Sequence, residues 1–156
     1  MQDLNIDIQL ELFTEMGEEM KPLFEKHWEE VALYTDVIDL CPDYDKYLAL
    51  EELGMVKIVS ARKEGELVGY VVLFVQPHLH YLQDIWCSMD IIYLAPYLRK
   101  TGIGAELVKA SGEVAKACGA SVLQFSTKVK QPFDTLMKWT GFDLVERVYS
   151  KCLKEK

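Results

Sequence analysis

The chain has 156 residues, half of them hydrophobic and 27% charged, which suits one well-filled core and is too short for two. Its 17 basic and 25 acidic side chains leave a net charge of −8, so a partner defined by its phosphate backbone is disfavoured. The longest apolar runs, such as Val71–Val75, are far too short to span a bilayer, and no basic leader opens the sequence. A single domain over residues 1–156, located in the cytoplasm and without a membrane partner, is expected. Cys41, Cys87, Cys118 and Cys152 lack CxxC spacing, and His27, His78 and His80 match no cysteine pair. Reduced thiols and no metal site are therefore expected. Arg99, Lys100, Lys109, Lys116, Lys128 and Lys130 make the second half locally basic, while the first half is acidic. That asymmetry points to an anionic ligand on the C-terminal half and a cationic one met by the N-terminal half.

In chain order, Asp3–Glu11 alternates polar and apolar residues as a half-buried strand does. Thr14 offers an N-cap oxygen, and Thr14–Val31 has helical spacing, with a split into two helices expected near Pro22. Pro42-Asp43 starts a helix over Asp43–Leu53 that stops at Gly54. Met55–Lys63 and Leu67–Gln76 read as strands joined by the turn Glu64-Gly65-Glu66, with Pro77 ending the second. A polar loop leads to a third strand, Ile85–Leu94, closed by Pro96. Gly102–Cys118 reads as a helix ending at Gly119, Ser121–Thr127 as a strand, Phe133–Thr140 as a short helix and Phe142–Leu153 as a last strand. Strand Ile85–Leu94, the helix and strand Ser121–Thr127 form a right-handed βαβ unit. The fold class is mixed α/β with one sheet.

The most informative segment is Leu94-Ala95-Pro96-Tyr97-Leu98-Arg99-Lys100-Thr101-Gly102-Ile103-Gly104. A strand ends, proline breaks it, and R-x-x-G-x-G leads directly into a helix. Glycines let backbone N–H groups converge, and the helix N-terminus adds positive potential, which suits a pyrophosphate. A dinucleotide fingerprint would need a further glycine where Leu107 stands, and a Walker loop would need G-K-[ST]. A strand–loop–helix turn with incidental glycines is the plain alternative.

R-x-x-G-x-G after "YLAP" resembles the acetyl-CoA signature of the GNAT (N-acetyltransferase) superfamily. So do "ELVGYVVL" upstream and Gly141-Phe142 between a short helix and the last strand. "HWEEVA", "HLHY", "DIIYLAP" and "QFSTK" further resemble small GNAT-like proteins of phages and prophages. The resemblance implies a mostly antiparallel mixed sheet of about six strands, flanked by helices, with a splayed βαβ unit for acetyl-CoA. It implies that Tyr93 and Leu94 pair with the pantetheine arm. It places the amides of Lys100, Thr101, Gly102, Ile103 and Gly104 on the pyrophosphate, with Arg99 at the mouth. Two positions depart from the family pattern: the usual tyrosine before "GF" is Met137, and the asparagine before that is Lys130.

Asp90 interrupts an apolar strand and, by alternation, shares a face with Ser88, Ile92 and Leu94. A half-buried carboxylate there suits a general base, or else a structural ion pair. His80 and Tyr81, in the loop before that strand, are candidates for proton relay and acceptor binding, and a solvated loop is the alternative. His27 and Glu30 share a helical face and could meet the acceptor, or belong to an amphipathic helix with a solvated acidic side. Lys128 ends the strand beside the pantetheine slot and could assist the coenzyme A phosphates, or simply face solvent. The expected activity is direct acetyl transfer from acetyl-CoA to a cationic acceptor, a small amine or a protein lysine. A coenzyme A-binding module without turnover is the second reading, and acylation of aminoacyl-tRNA a third that the charge disfavours. A homodimer is also expected from the family resemblance.

Overall fold

The computed structural model describes residues 4–155; Asp3 of the expected first strand lies outside them. The elements run β1 (Ile6–Glu11), α1 (Phe13–Val31), α2 (Tyr44–Glu52), β2 (Val56–Lys63), β3 (Glu66–His78), β4 (Tyr81–Leu94), a 3-10 turn (Pro96–Leu98), α3 (Ile103–Ala117), β5 (Ala120–Gln124) and α4 (Asp134–Trp139). One sheet has the order β1-β2-β3-β4-β5; its first four strands form an antiparallel meander and β5 runs parallel to β4. The mixed α/β class and the βαβ unit are as expected. Among the described residues the sheet has five strands rather than about six, because Phe142–Leu153 pairs with none.

The strands carry apolar residues on both faces, since each face has a helical layer to meet. On one side Ile103, Leu107 and Ala115 of α3 pack on Val59, Val71, Leu73, Cys87 and Leu94. On the other, Phe13, Met16, Met20 and Phe24 of α1 cover Ile58, Tyr70, Val72 and Tyr93, with α2 adding Tyr44 and Tyr47. Each large apolar side chain buried this way contributes about 1.5–3 kcal/mol.

Two local expectations fail at α1. The helix runs unbroken through Pro22, because Met16, Met20 and Phe24 anchor it from both sides while Pro22 itself is exposed. The hydrogen bond that Pro22 cannot donate is thus lost on the water side. Thr14 is not the N-cap: Leu12 holds that position, and Glu51 of α2 accepts from the amides of Phe13 and Thr14 and from the Thr14 hydroxyl. A cap supplied from a second helix leaves no local signature. α2 starts as expected, with the Asp43 side chain accepting from the Lys46 amide at 3.0 Å.

β3 continues past Pro77 to His78. The pairing with β2 reaches no further than Phe74, so Pro77 stands beside one strand only, where its missing donor is tolerated. The expected polar loop is a tight hairpin, and β4 begins at Tyr81.

The β3–β4 register steps from Leu73↔Met89 to Val72↔Ile91 and leaves Asp90 as the extra residue of a bulge. Side-chain alternation changes phase there. Cys87 and Met89 face α3 before the bulge, and Ile92 and Leu94 after it. Asp90 therefore does not share the face of Ile92 and Leu94. Near the end of this pairing, Gly69 allows close approach: a Cβ there would lie 2.8 Å from Leu94 Cδ1 and 2.9 Å from the Tyr93 carbonyl oxygen. Gly69→Ala is expected to destabilise the fold by about 1–3 kcal/mol, read as a lowered urea midpoint at unchanged m-value; an unshifted midpoint would show that the strands yield without cost.

Candidate active site

β5 pairs with β4 only from Ile85 to Ser88. Beyond Ser88, past the bulge, the edge of β4 as far as Leu94 has no strand neighbour on that side among the described residues. A bulge bends its own strand and increases the local twist, which accounts for the parting of two parallel neighbours. Ala95 N–H donates to the Val68 carbonyl of β3 at 2.8 Å, so alternation turns the preceding amide, that of Leu94, toward the open edge. The Leu94 carbonyl on the same edge accepts from Arg99 Nε at 2.8 Å. By the same alternation the Tyr93 amide faces β3, and its ring is buried under α1.

The loop after β4 turns sharply. Lys100 has φ +67° and Gly102 has φ +96°, a costly backbone for the lysine that persists only where its surroundings enforce it. α3 starts at Ile103, and the amides of Ala105 and Glu106 both donate to the Gly102 carbonyl, at 3.0 and 3.2 Å. Among the described residues the amides of Gly102, Ile103 and Gly104 have no acceptor, as the first turn of a helix requires. A Cβ at Gly102 would meet nothing within 4 Å, so the space over these donors is open. Thr101 is turned inward: its amide, at 3.4 Å, and its hydroxyl both donate to the Leu98 carbonyl. The free amides at a helix N-terminus fit a pyrophosphate.

The Arg99 side chain beside this cradle is engaged with other groups of the protein. Its guanidinium makes a two-pronged contact with the Glu30 carboxylate, at 2.9 and 2.8 Å, and lies 5.9 Å from the centre of the Tyr93 ring. The sequence assigns Arg99 to the cofactor and Glu30 to the acceptor, at opposite ends of the reaction. The structure joins them, because the Nε contact with Leu94 aims the guanidinium at the end of α1. The pair ties α1 to the strand end that opens the slot.

His27 lies one turn before Glu30, its ring 6.0 Å from that of Tyr93. Burial pushes the imidazole pKa down, Glu30 raises it, and Arg99 and Lys128 lower it further; the ring is neutral at pH 7. Asp90 is exposed rather than half-buried; partial desolvation by its neighbours still raises its pKa, and Lys128 draws it back. The Tyr47 phenol is raised by burial first, with the Asp90 charge adding to the effect. Asp90, Lys128, His27 and Tyr47 thus sense one another's fields around the open stretch of β4. Beside them lies a pocket of about 340 Å³ lined by Phe24, Trp28, Asp39, Tyr47 and Ile91, among others. Sequence reasoning misses Tyr47 at the site.

His80 and Tyr81 stand apart from this group. The β3–β4 hairpin carries them at its tip, where the His80 amide donates to His78 Nδ1 at 3.2 Å and Tyr81 stacks on Trp86 at 5.3 Å. Tyr81 pairs with His78, Met89 with Leu73 and Ile91 with Val72, so Asp90 lies five to six β3 positions from Tyr81, roughly 16–20 Å. A proton relay from His80 to Asp90 is excluded by that separation within one chain. Met137 is buried in α4 and brings no ionisable group to the slot.

Residues 13–133 match the family model described as the acetyltransferase (GNAT) family, and the chain belongs to that family of acyltransferases. A curated relative, the aminoalkylphosphonate N-acetyltransferase of Salmonella typhimurium, is 34% identical over 71 residues, 46% of each protein; the chain thus aligns with less than half of that relative. Among solved structures, an aminoglycoside acetyltransferase from an uncultured soil metagenomic sample, in complex with sisomicin, superposes with a TM-score of 0.75 at 15% identity, over 97% of both chains. The aminoglycoside N-acetyltransferase AAC(6')-Iy in complex with CoA gives 0.71 at 13% identity, over 95% of this chain and 99% of that one. At such identities these likenesses establish the fold.

Two measurements test the site's electrostatics. A double-mutant cycle on Glu30→Ala and Arg99→Ala is expected to return a coupling of about 1 kcal/mol, the upper end for a partly exposed pair; zero coupling would show that the pair does not hold α1 in place. A carboxyl whose pKa rises on folding favours the fold when protonated and costs stability as pH rises through its folded pKa. Asp90→Asn is therefore expected to raise the melting temperature at pH 8 more than at pH 5, and an unchanged difference would refute the raised pKa.

Proposed function

We propose that the chain transfers an acetyl group from acetyl-CoA directly to a primary amine on a cationic acceptor, either a small amine or a lysine side chain. The observation that carries this reading is the continuity of two sets of free donors: the Leu94 amide on the open edge of β4, and the Gly102–Gly104 amides at the start of α3. An extended pantetheine arm lies along the open edge of β4 and its pyrophosphate finds the second set. Acetyl-CoA supplies the activated thioester. The Leu94 amide then donates to the thioester carbonyl oxygen, which gains negative charge during attack.

Asp90 takes the proton. Its bulge position sets the carboxylate beside the open edge, and its raised pKa brings its basicity closer to that of a working base at neutral pH. The amine nitrogen bonds to the carbonyl carbon, the carbon–sulfur bond breaks, and the thiolate leaves with no protein acid at position 137 to meet it. A thiolate is a fair leaving group, so this costs little. The Phe24/Trp28/Tyr47 pocket fits the apolar body of an acceptor, and Asp39 and Asp90 favour its ammonium form on arrival. Lys128, exposed beside Asp90, suits a phosphate of the incoming coenzyme.

Isothermal titration with acetyl-CoA, followed by thiol release on adding amines, tests the proposal. Micromolar binding that Gly104→Asp weakens at least tenfold is expected, as is thiol release with cationic amines. Asp90→Asn should reduce kcat/KM by about 10²–10⁴ while leaving acetyl-CoA affinity unchanged. Because the Asp90 pKa is raised, kcat/KM should fall as pH drops through it and level off above. Tight binding without thiol release from any amine would favour the coenzyme A-binding module, the reading to which Met137 lends support. Absence of binding would overturn both.

A further inference from the structure

The open edge of β4 suits a pantetheine arm, and the free amides of Gly102, Ile103 and Gly104 suit a phosphate. Both chemical groups also occur in a phosphopantetheine arm carried on a protein. What marks coenzyme A is its nucleotide end, in which one ribose alone separates the adenine from the pyrophosphate. A side chain that recognises the base therefore has to stand beside the start of α3 and on the solvent side, since the slot takes the pantetheine.

α4 stands beside that start. A Cβ at Gly104 would lie 3.4 Å from Leu136 Cδ2, so α4 flanks the first turn of α3. At about 100° per residue, Met137 turns from Leu136 toward the core, where it is buried. Trp139 turns about 60° the other way and is 83% exposed. It thus occupies the solvent side of α4, one helical turn from the residue that touches Gly104. The backbone beneath it is fixed. The Thr140 hydroxyl donates to the Leu136 carbonyl at 2.8 Å, and the Phe142 amide donates to the Met137 carbonyl at 2.9 Å. An indole on a fixed backbone loses little freedom on stacking, because only two torsions move it.

We propose that Trp139 selects free coenzyme A as the carrier of the acetyl group by stacking its indole ring on the adenine. The inference rests on the acetyl-CoA reading and adds to it the recognition of the nucleotide end. A base offers its π-face to an aromatic ring, and such a stack strengthens binding roughly 5- to 150-fold. An acetyl group on a protein-borne phosphopantetheine arm gains nothing from Trp139, since that arm carries no base. Trp139 is in this sense a residue of donor selectivity: it leaves the thioester and the acceptor untouched.

Isothermal titration of the intact chain, Trp139→Ala and Trp139→Phe tests it, with acetyl-CoA and S-acetyl-4′-phosphopantetheine as the two donors. Trp139→Ala is expected to bind acetyl-CoA about fivefold more weakly or worse. Trp139→Phe keeps a π-face and should bind it nearly as well as the intact chain does. All three proteins should bind the nucleotide-free thioester equally, and their far-UV circular dichroism should agree, because the indole is exposed. Acetyl-CoA should also quench the tryptophan emission of the intact chain, and Trp139→Phe should lose that quench. Equal acetyl-CoA affinity in the intact chain and Trp139→Ala would overturn the stack and leave the acetyl-transfer reading in place. An equal loss for both thioesters, or a quench that persists in Trp139→Phe, would do the same. Absence of acetyl-CoA binding by the intact chain would overturn both.

Discussion

β4 has to satisfy two neighbours that make incompatible demands. β3 pairs with it antiparallel along nearly its whole length, whereas β5 runs parallel to it and stays only as far as Ser88. The bulge at Asp90 reconciles them by adding one residue to β4, which bends the strand away from β5 and shifts the phase of its side chains. Both consequences fall in one place: the edge beyond Ser88 opens, and Asp90 stands at the bulge beside it. Without the bulge, an evenly alternating β4 would put the side chain at position 90 on the opposite phase to Ile91 and Tyr93.

The open edge is kept in place from two sides. Gly69 lets β3 approach Tyr93 and Leu94 more closely than any side chain would allow. Arg99 then bonds the Leu94 carbonyl with one nitrogen and Glu30 with another, which fastens the end of α1 across the strand end. An arginine that the family signature places near the phosphates instead links the acceptor-side helix to the cofactor-side loop. The free amides of Gly102, Ile103 and Gly104 stand apart from that pair, and their positions depend on Lys100 and Gly102 holding positive φ.

Stability and chemistry compete at Asp90. Asp90 is exposed on β4, yet partial desolvation raises its pKa, and Lys128 only partly offsets that. A carboxylate under that strain is a better base than a relaxed one. The neutral His27 and the protonated Tyr47 beside it add no competing charge, so the field at the slot is set by Asp90, Lys128 and the Arg99–Glu30 pair.

Much of the fold is legible in the order of the residues. Binary patterning and the Gly and Pro punctuation locate the meander, the crossover helix and the Arg99–Gly104 loop, because those signals act over a few neighbouring residues. The cap that Glu51 gives α1, the survival of that helix through Pro22, and the Arg99–Glu30 pair are not legible in that way. Each joins positions 37 or more apart or depends on which face is buried. Asp90 stands out as a charge in an apolar strand, yet alternation assigns it the wrong face, since a bulge is set by the register of two strands and not by the sequence of one. Closeness in sequence draws His80 and Tyr81 toward the site, and the length of β4 carries them away. The sequence alone determined which residues could cradle a phosphate or move a proton, for that is a matter of chemical type and local turn. Only the tertiary structure decided which of them meet, because that depends on strand pairing and helix docking between distant segments.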